Sequence, residues 1–118
     1  MSKFALLLNH PLDRYVDIPE DDYINIIKDY VAWVQDQVEK GIYVSGHKLS
    51  TAEGRRLNKT DSGIEVLDAP TTEIAEILGG IMIIQTDSLE SAVEIARSHP
   101  HFVHNDSLEI WPLDESVD

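Results

Sequence analysis

Apolar residues fall along the chain in two rhythms, short unbroken runs and longer stretches repeating at steps of three and four, and the two alternate. Phe4-Ala5-Leu6-Leu7-Leu8 is an unbroken run ending at Asn9-His10-Pro11, as expected of a strand central in a sheet. After a polar connection over residues 11 to 18, Pro19 suits a first helical turn, and Glu20, Asp21 and Asp22 complement the positive end of the helix dipole. Ile24, Ile27, Val31, Val34 and Val38 then recur at helical spacing and Gly41 offers a left-handed stop, which predicts a helix over residues 20 to 40 with that stripe as its main apolar face. A second stripe, Tyr23, Ile26, Tyr30 and Trp33, widens the apolar face beyond what one sheet covers; it is expected to thicken the core, line a cavity or meet another subunit.

Ile42-Tyr43-Val44-Ser45 reads as a second strand closing at Gly46, and residues 55–59 and 63–67 read as a hairpin arm around Thr60-Asp61-Ser62. Gly79-Gly80 opens Ile81-Met82-Ile83-Ile84, the most apolar run and the expected central strand. Asp87, with Glu90 three residues on, offers an N-cap for a second helix that buries Leu89, Ala92, Val93 and Ala96 and ends by Pro100. Leu108-Glu109-Ile110-Trp111 alternates and stops at Pro112, giving a last strand. The order is that of a ferredoxin-like βαββαβ fold of the α+β class with a β-hairpin insertion, and residues 1–118 form a single domain without repeats or linkers. Such a sheet carries helices on one face, and a second copy of the chain is the simplest cover for the other.

Composition narrows the function classes. The 118 residues include no cysteine, which excludes disulfides, thiolate metal centres, iron–sulfur clusters and a cysteine nucleophile, and leaves an intracellular compartment as the expectation. A formal charge of -13 repels phosphate backbones and anionic membranes, so neither nucleic acid nor a membrane is an expected partner. No apolar run approaches a membrane span and no secretory leader pattern opens the chain, which points to the cytoplasm. Dinucleotide and phosphate-loop glycine motifs are missing, as is a nucleophile elbow around any serine, and no cofactor is expected.

The stretch Asp68-Ala69-Pro70-Thr71-Thr72-Glu73-Ile74-Ala75-Glu76-Ile77-Leu78-Gly79-Gly80 resembles the signature of the YCII-related, or DGPF-domain, family, and the segments Lys3 to Leu8, Gly41 to Leu49, Ser91 to Ala96 and Leu108 to Pro112 fall in that family's order. The resemblance covers nearly the whole chain. It implies a ferredoxin-like subunit pairing sheet to sheet in a dimeric α+β barrel, a superfamily whose clefts host isomerases, dehydrochlorinases and cofactor-free monooxygenases, while some DGPF domains sit in regulatory contexts. The chain departs from the pattern at Ala69 and Thr71, where the signature has glycine and phenylalanine, and at Trp111, where a basic residue is usual. The histidine that one branch of the family carries on its first helix has no counterpart, because no histidine lies between Pro11 and Gly46.

Candidate chemistry then rests on few residues. Asp68, at a strand end before proline, is a candidate base or histidine-orienting group, although Asp-Pro is also a turn former. His47 is a titratable side chain near the sheet edge, and paired with Asp68 it would suit proton abstraction or elimination; the plain alternative is a surface or half-buried histidine. His99, His101 and His104 invite a metal reading, yet their loop spacing lacks the helical arrangement that aims two rings at one ion, so a polar loop at the cleft mouth is expected and no metal site. Lys48, Arg55, Arg56 and Lys59 make a basic zone within twelve residues, suited to the acidic first helix of a partner subunit or to a carboxylate ligand. The sequence therefore predicts a homodimer that binds a small organic carboxylate or aromatic ligand, with His47 and Asp68 as catalytic candidates for a lyase or isomerase type of proton transfer and Arg55, Pro70, Glu73 and His99 as ligand contacts. The alternative is a dimeric binding or interaction module without chemistry.

Overall fold

The computed structural model describes residues 1–13, 17–70, 76–105 and 107–117. Among these residues six strands and three helices run in the order β1 (Ser2–Pro11), α1 (Glu20–Glu39), β2 (Tyr43–Lys48), β3 (Gly54–Thr60), β4 (Gly63–Ala69), β5 (Glu76–Thr86), α2 (Leu89–Ala96), α3 (His101–His104) and β6 (Glu109–Pro112). β2, β5, β1 and β6 form an antiparallel sheet in that order, while β3 and β4 pair, among the described residues, with each other alone. Without the arm this is the ferredoxin-like order, with the two longest strands in the centre of the sheet.

Antiparallel partners share a face. The register Phe4↔Ile84, Leu6↔Met82 and Leu8↔Gly80 therefore makes one face of the sheet, and on it Phe4, Leu6, Met82 and Ile84 pack with Trp33 of α1 and Ala92 and Ala96 of α2. Leu7↔Ile81 and Ala5↔Ile83 make the opposite face, joined there by Trp111 across from Ala5.

Helix α1 buries the stripe that the sequence treats as secondary. Ile26, Trp33 and Gln37 are buried and Tyr23, Tyr30 and Val34 half-buried, whereas Ile24, Ile27, Val31 and Val38 are exposed. Both stripes have steps of three and four and differ by one residue, about 100° of rotation, so periodicity alone does not choose between them. Side-chain volume and a hydrogen bond do: the Trp33 indole fills the core and donates from Nε1 to Ser98 Oγ at 3.0 Å. The helix stops as expected, with Gly41 at φ 73° and Ile42 N–H donating to Gln37 O at 2.9 Å.

Other elements shift for local reasons. Ser88, not Asp87, caps α2, its side chain accepting from Ser91 N–H at 3.1 Å, and Leu89 is exposed while Ala92 and Ala96 are buried. Beyond α2, Pro100 begins the short helix α3 instead of a polar loop, and that helix carries His101 into the interior. β5 starts at Glu76, so Gly79 and Gly80 lie inside the strand, and β2 runs through Gly46 to Lys48. None of the described helices is long and apolar enough to cross a membrane.

Candidate functional site

The first half of α1 stands away from the sheet and leaves a cavity of about 980 Å³ between them. Its helix wall is Tyr23, Ile26, Ile27, Tyr30 and Val31; its sheet wall is Leu8, His10, Tyr43, Gly79, Gly80, Ile81 and Met82; Lys48 and Glu20 border it, as does His101. The surround is largely aliphatic and aromatic, with polar groups at a few points, the usual make-up of a small-molecule pocket.

Glycine opens the sheet wall. A Cβ on Gly79 would stand 2.4 Å from His10 Cδ2 and 2.6 Å from Nε2, so only hydrogen there lets the imidazole lie across β5. On Gly80 a Cβ would stand 3.3 Å from His47 O, and on Gly46 one would meet the Tyr43 hydroxyl at 2.7 Å. The glycine pair at the end of the signature stretch is therefore explained by close packing against β1 and β2, beside a break in the β1–β5 register between Leu8 and Asn9.

The polar end of the cavity is a histidine cluster. His10 Nδ1 donates to Pro11 O at 2.7 Å. His101 Nε2 lies 2.8 Å from Ser107 O, and its Nδ1 lies 3.1 Å from the Tyr30 hydroxyl and 3.5 Å from Asn105 Nδ2. Burial pulls the His101 pKa below the ordinary histidine value, and the nearby His10 adds to that, while backbone hydrogen bonding at Ser107 and Asn9 and the Glu76 carboxylate oppose it. His99 is sealed behind this wall at 2% exposure, its ring 4.4 Å from Trp33 and 5.2 Å from Tyr30 between centroids. It accepts from His101 N–H at Nδ1, its Nε2 has no hydrogen-bond partner among the described residues, and burial, with the repulsion of His101, pulls its pKa down to about 4.

The sequence-derived candidates scatter across this geometry. His47 borders the cavity, but its pairing with Ile81 assigns its side chain to the face opposite the helices, with Leu7. Asp68 lies across from Arg55 in the arm, its side chain 94% exposed and its carboxylate 3.7 Å from Arg55 Nη1; no hydrogen bond joins it to His47 among the described residues. Arg55 is held locally, donating to Glu53 at 2.9 Å and to Gly54 O at 2.7 Å. Pro70 follows β4 across a cis peptide bond and does not line the cavity, and Glu73 lies outside the described residues. His99 does not border the cavity, and among the described residues no group of three histidine or carboxylate side chains is placed to hold a metal ion. Of the polar groups that border the cavity, Tyr30 was legible through its helical spacing with Tyr23, as a stripe that could line a cavity, and His101 only as part of a polar loop at the cleft mouth; His10 went unread, and the meeting of the three was not legible because they come from separate segments.

The sequence profile of the YCII-related domain matches residues 12–114. The chain belongs to the YCII-related family. No curated protein matches it. The ferredoxin-like α+β architecture is the one this family adopts, and Gly79 and Gly80, which admit His10 and the β2 backbone to β5, lie within the matched span.

Proposed function

We propose that this YCII-related protein binds a small, mainly apolar organic acid, aromatic in part, in the cavity between α1 and the sheet. The observation that carries the reading is the cavity itself: about 980 Å³, walled by Leu8, Ile26, Ile27, Val31 and Met82, with the Lys48 ammonium at its border. Lys48 makes no ion pair among the described residues, so its charge is available to a carboxylate. Glu20 on the same border disfavours a second anionic group and so selects monoanions over dianions.

A thermal-shift series with aryl and alkyl monocarboxylates tests this, since a ligand specific to the folded state raises Tm by mass action. The expected result is a set of acids that stabilise the protein, each losing about tenfold in affinity in Lys48→Met, as for loss of one charge-assisted contact. Acids that stabilise nothing, or that bind Lys48→Met unchanged, overturn the reading.

A second reading places the chemistry between two copies of the chain. His47 shares the helix-free face with Leu7, Ile81 and Trp111, a face suited to a second sheet in a homodimer, and in that arrangement proton transfer would join His47 to an Asp68 supplied across the interface. Asp68→Asn abolishes turnover without dissociating the dimer on this reading; on the interaction-module reading it changes neither.

A further inference from the structure

A second polar group stands beside Lys48 on the sheet wall of the cavity. The register of β2 on β5 breaks between Tyr43 and Ser45, so that Tyr43, across from Ile84, and Gly46, across from Met82, share the face toward the helices, and Lys48, across from Gly80, follows on it. The tyrosine lies along its own strand toward Lys48: a Cβ on Gly46 would stand 2.7 Å from the hydroxyl oxygen and 3.5 Å from Cζ. Gly46 has no positive φ, so the backbone does not call for glycine there; the space taken by the hydroxyl does. Lys48 is the next position on that face, roughly 7 Å along the strand, within the span of its own side chain. All three residues border the cavity, and among the described residues neither the Tyr43 nor the Lys48 side chain has a hydrogen-bond or ion-pair partner.

We infer that the Tyr43 hydroxyl and the Lys48 ammonium form a two-donor clamp on a single ligand carboxylate, with Gly46 as the positioning residue that lets the hydroxyl stand beside the ammonium. The inference rests on the cavity reading above and adds its second anchor. A carboxylate carries two coplanar oxygens; one meets the ammonium and the other accepts the phenolic O–H, so the acid group lies over β2 and the apolar remainder crosses toward Ile26, Ile27 and Val31 on α1. The charge of Lys48 attracts any anion, on a long and flexible stem. The tyrosine hydroxyl, on a rigid ring seated over bare backbone, fixes where the acid sits. A side chain at position 46 pushes that hydroxyl off the strand and leaves the ammonium to bind alone.

The experiment is a calorimetric titration of phenylacetate into the full chain, Tyr43→Phe, Gly46→Ala and the double variant Tyr43→Phe/Gly46→Ala at neutral pH. Tyr43→Phe keeps the ring and should lower affinity about tenfold, the order of one hydrogen bond to a charged group. Gly46→Ala should lower it to a similar extent with Tyr43 and Lys48 both present, and the double variant should lose no more than Tyr43→Phe alone, because Gly46 acts only through the hydroxyl. A general disturbance of β2 by the added methyl would instead add its loss to that of Tyr43→Phe. Tyr43→Phe or Gly46→Ala binding phenylacetate as the native protein does, or losses that add in the double variant, overturns the inference and leaves the cavity reading to stand on Lys48. A native protein that does not bind phenylacetate overturns both.

Discussion

At Gly79 the difference between hydrogen and methyl decides whether His10 reaches the cavity. In Gly79→Ala the new Cβ would stand 2.4 Å from the ring, so either the imidazole leaves or β5 moves; overpacking of this kind costs about 1–3 kcal/mol. Urea unfolding should show that loss, and an unchanged midpoint would mean that the ring relocates at no cost. His99 carries a pH prediction. Its pKa is about 4 in the folded protein against 6.5 in an unfolded chain, so the unfolded state takes up a proton first on acidification. Its contribution is neutral above the unfolded value, erodes as pH falls from 6.5 toward 4, and is constant below that, to a ceiling of about 3 kcal/mol. His99→Phe, which keeps a ring against Trp33, should flatten stability across that window in pH-dependent denaturation; an unaltered slope would assign the acid sensitivity to other groups. Neither residue's part is visible in sequence, because each depends on a neighbour distant in the chain: Gly79 on His10, and His99 on Trp33.

At the scale of elements, the informative case is α1. Its two stripes have the same period, and the one holding Gln37 in place of Val38 looks the less apolar, so a reading by apolar content favours the wrong face. The core takes the stripe with Trp33 because the indole covers the centre of the sheet and Ser98 satisfies its N–H. Trp33→Ala should therefore cost about 3–5 kcal/mol, while Val31→Ser on the exposed stripe should change the stability of the isolated chain by less than about 0.5 kcal/mol. Comparable losses in thermal unfolding would restore the face that apolar content favours. The strands were more legible, since an unbroken apolar run has one reading wherever it is central in a sheet. Their ends were less so: β5 reaches back to Glu76 and β2 onward to Lys48 because pairing with a long neighbour extends a strand beyond its own apolar signal.

For the whole molecule, shape matters more than composition. The Cα radius of gyration is 16.5 Å and the principal extents are 50 × 44 × 19 Å, against roughly 13–14 Å for the radius of a compact domain of this length. The excess comes with an arm, β3–β4, that is separate from the main sheet and presents Leu57, Val66 and Ile64 on one face at 63%, 60% and 62% exposure. Together with the helix-free face of the sheet, that strip supports the homodimer proposal. Sedimentation equilibrium should give twice the chain mass for the native protein and the single mass for Leu57→Lys/Val66→Lys; a monomeric native protein sinks it.

The chain order of the strands and of α1 and α2, though not α3, the hairpin at residues 61 and 62, the stop at Gly41 and membership of the YCII-related family were all determined by the sequence, because each depends on residues near one another in the chain or on a contiguous signature. Which face of α1 enters the core and which imidazoles border the cavity were decided only by the tertiary structure. Those outcomes depend on volume, register and hydrogen bonds between segments as far apart as His10, Tyr30 and His101, and such pairings leave no periodic trace in the order of residues.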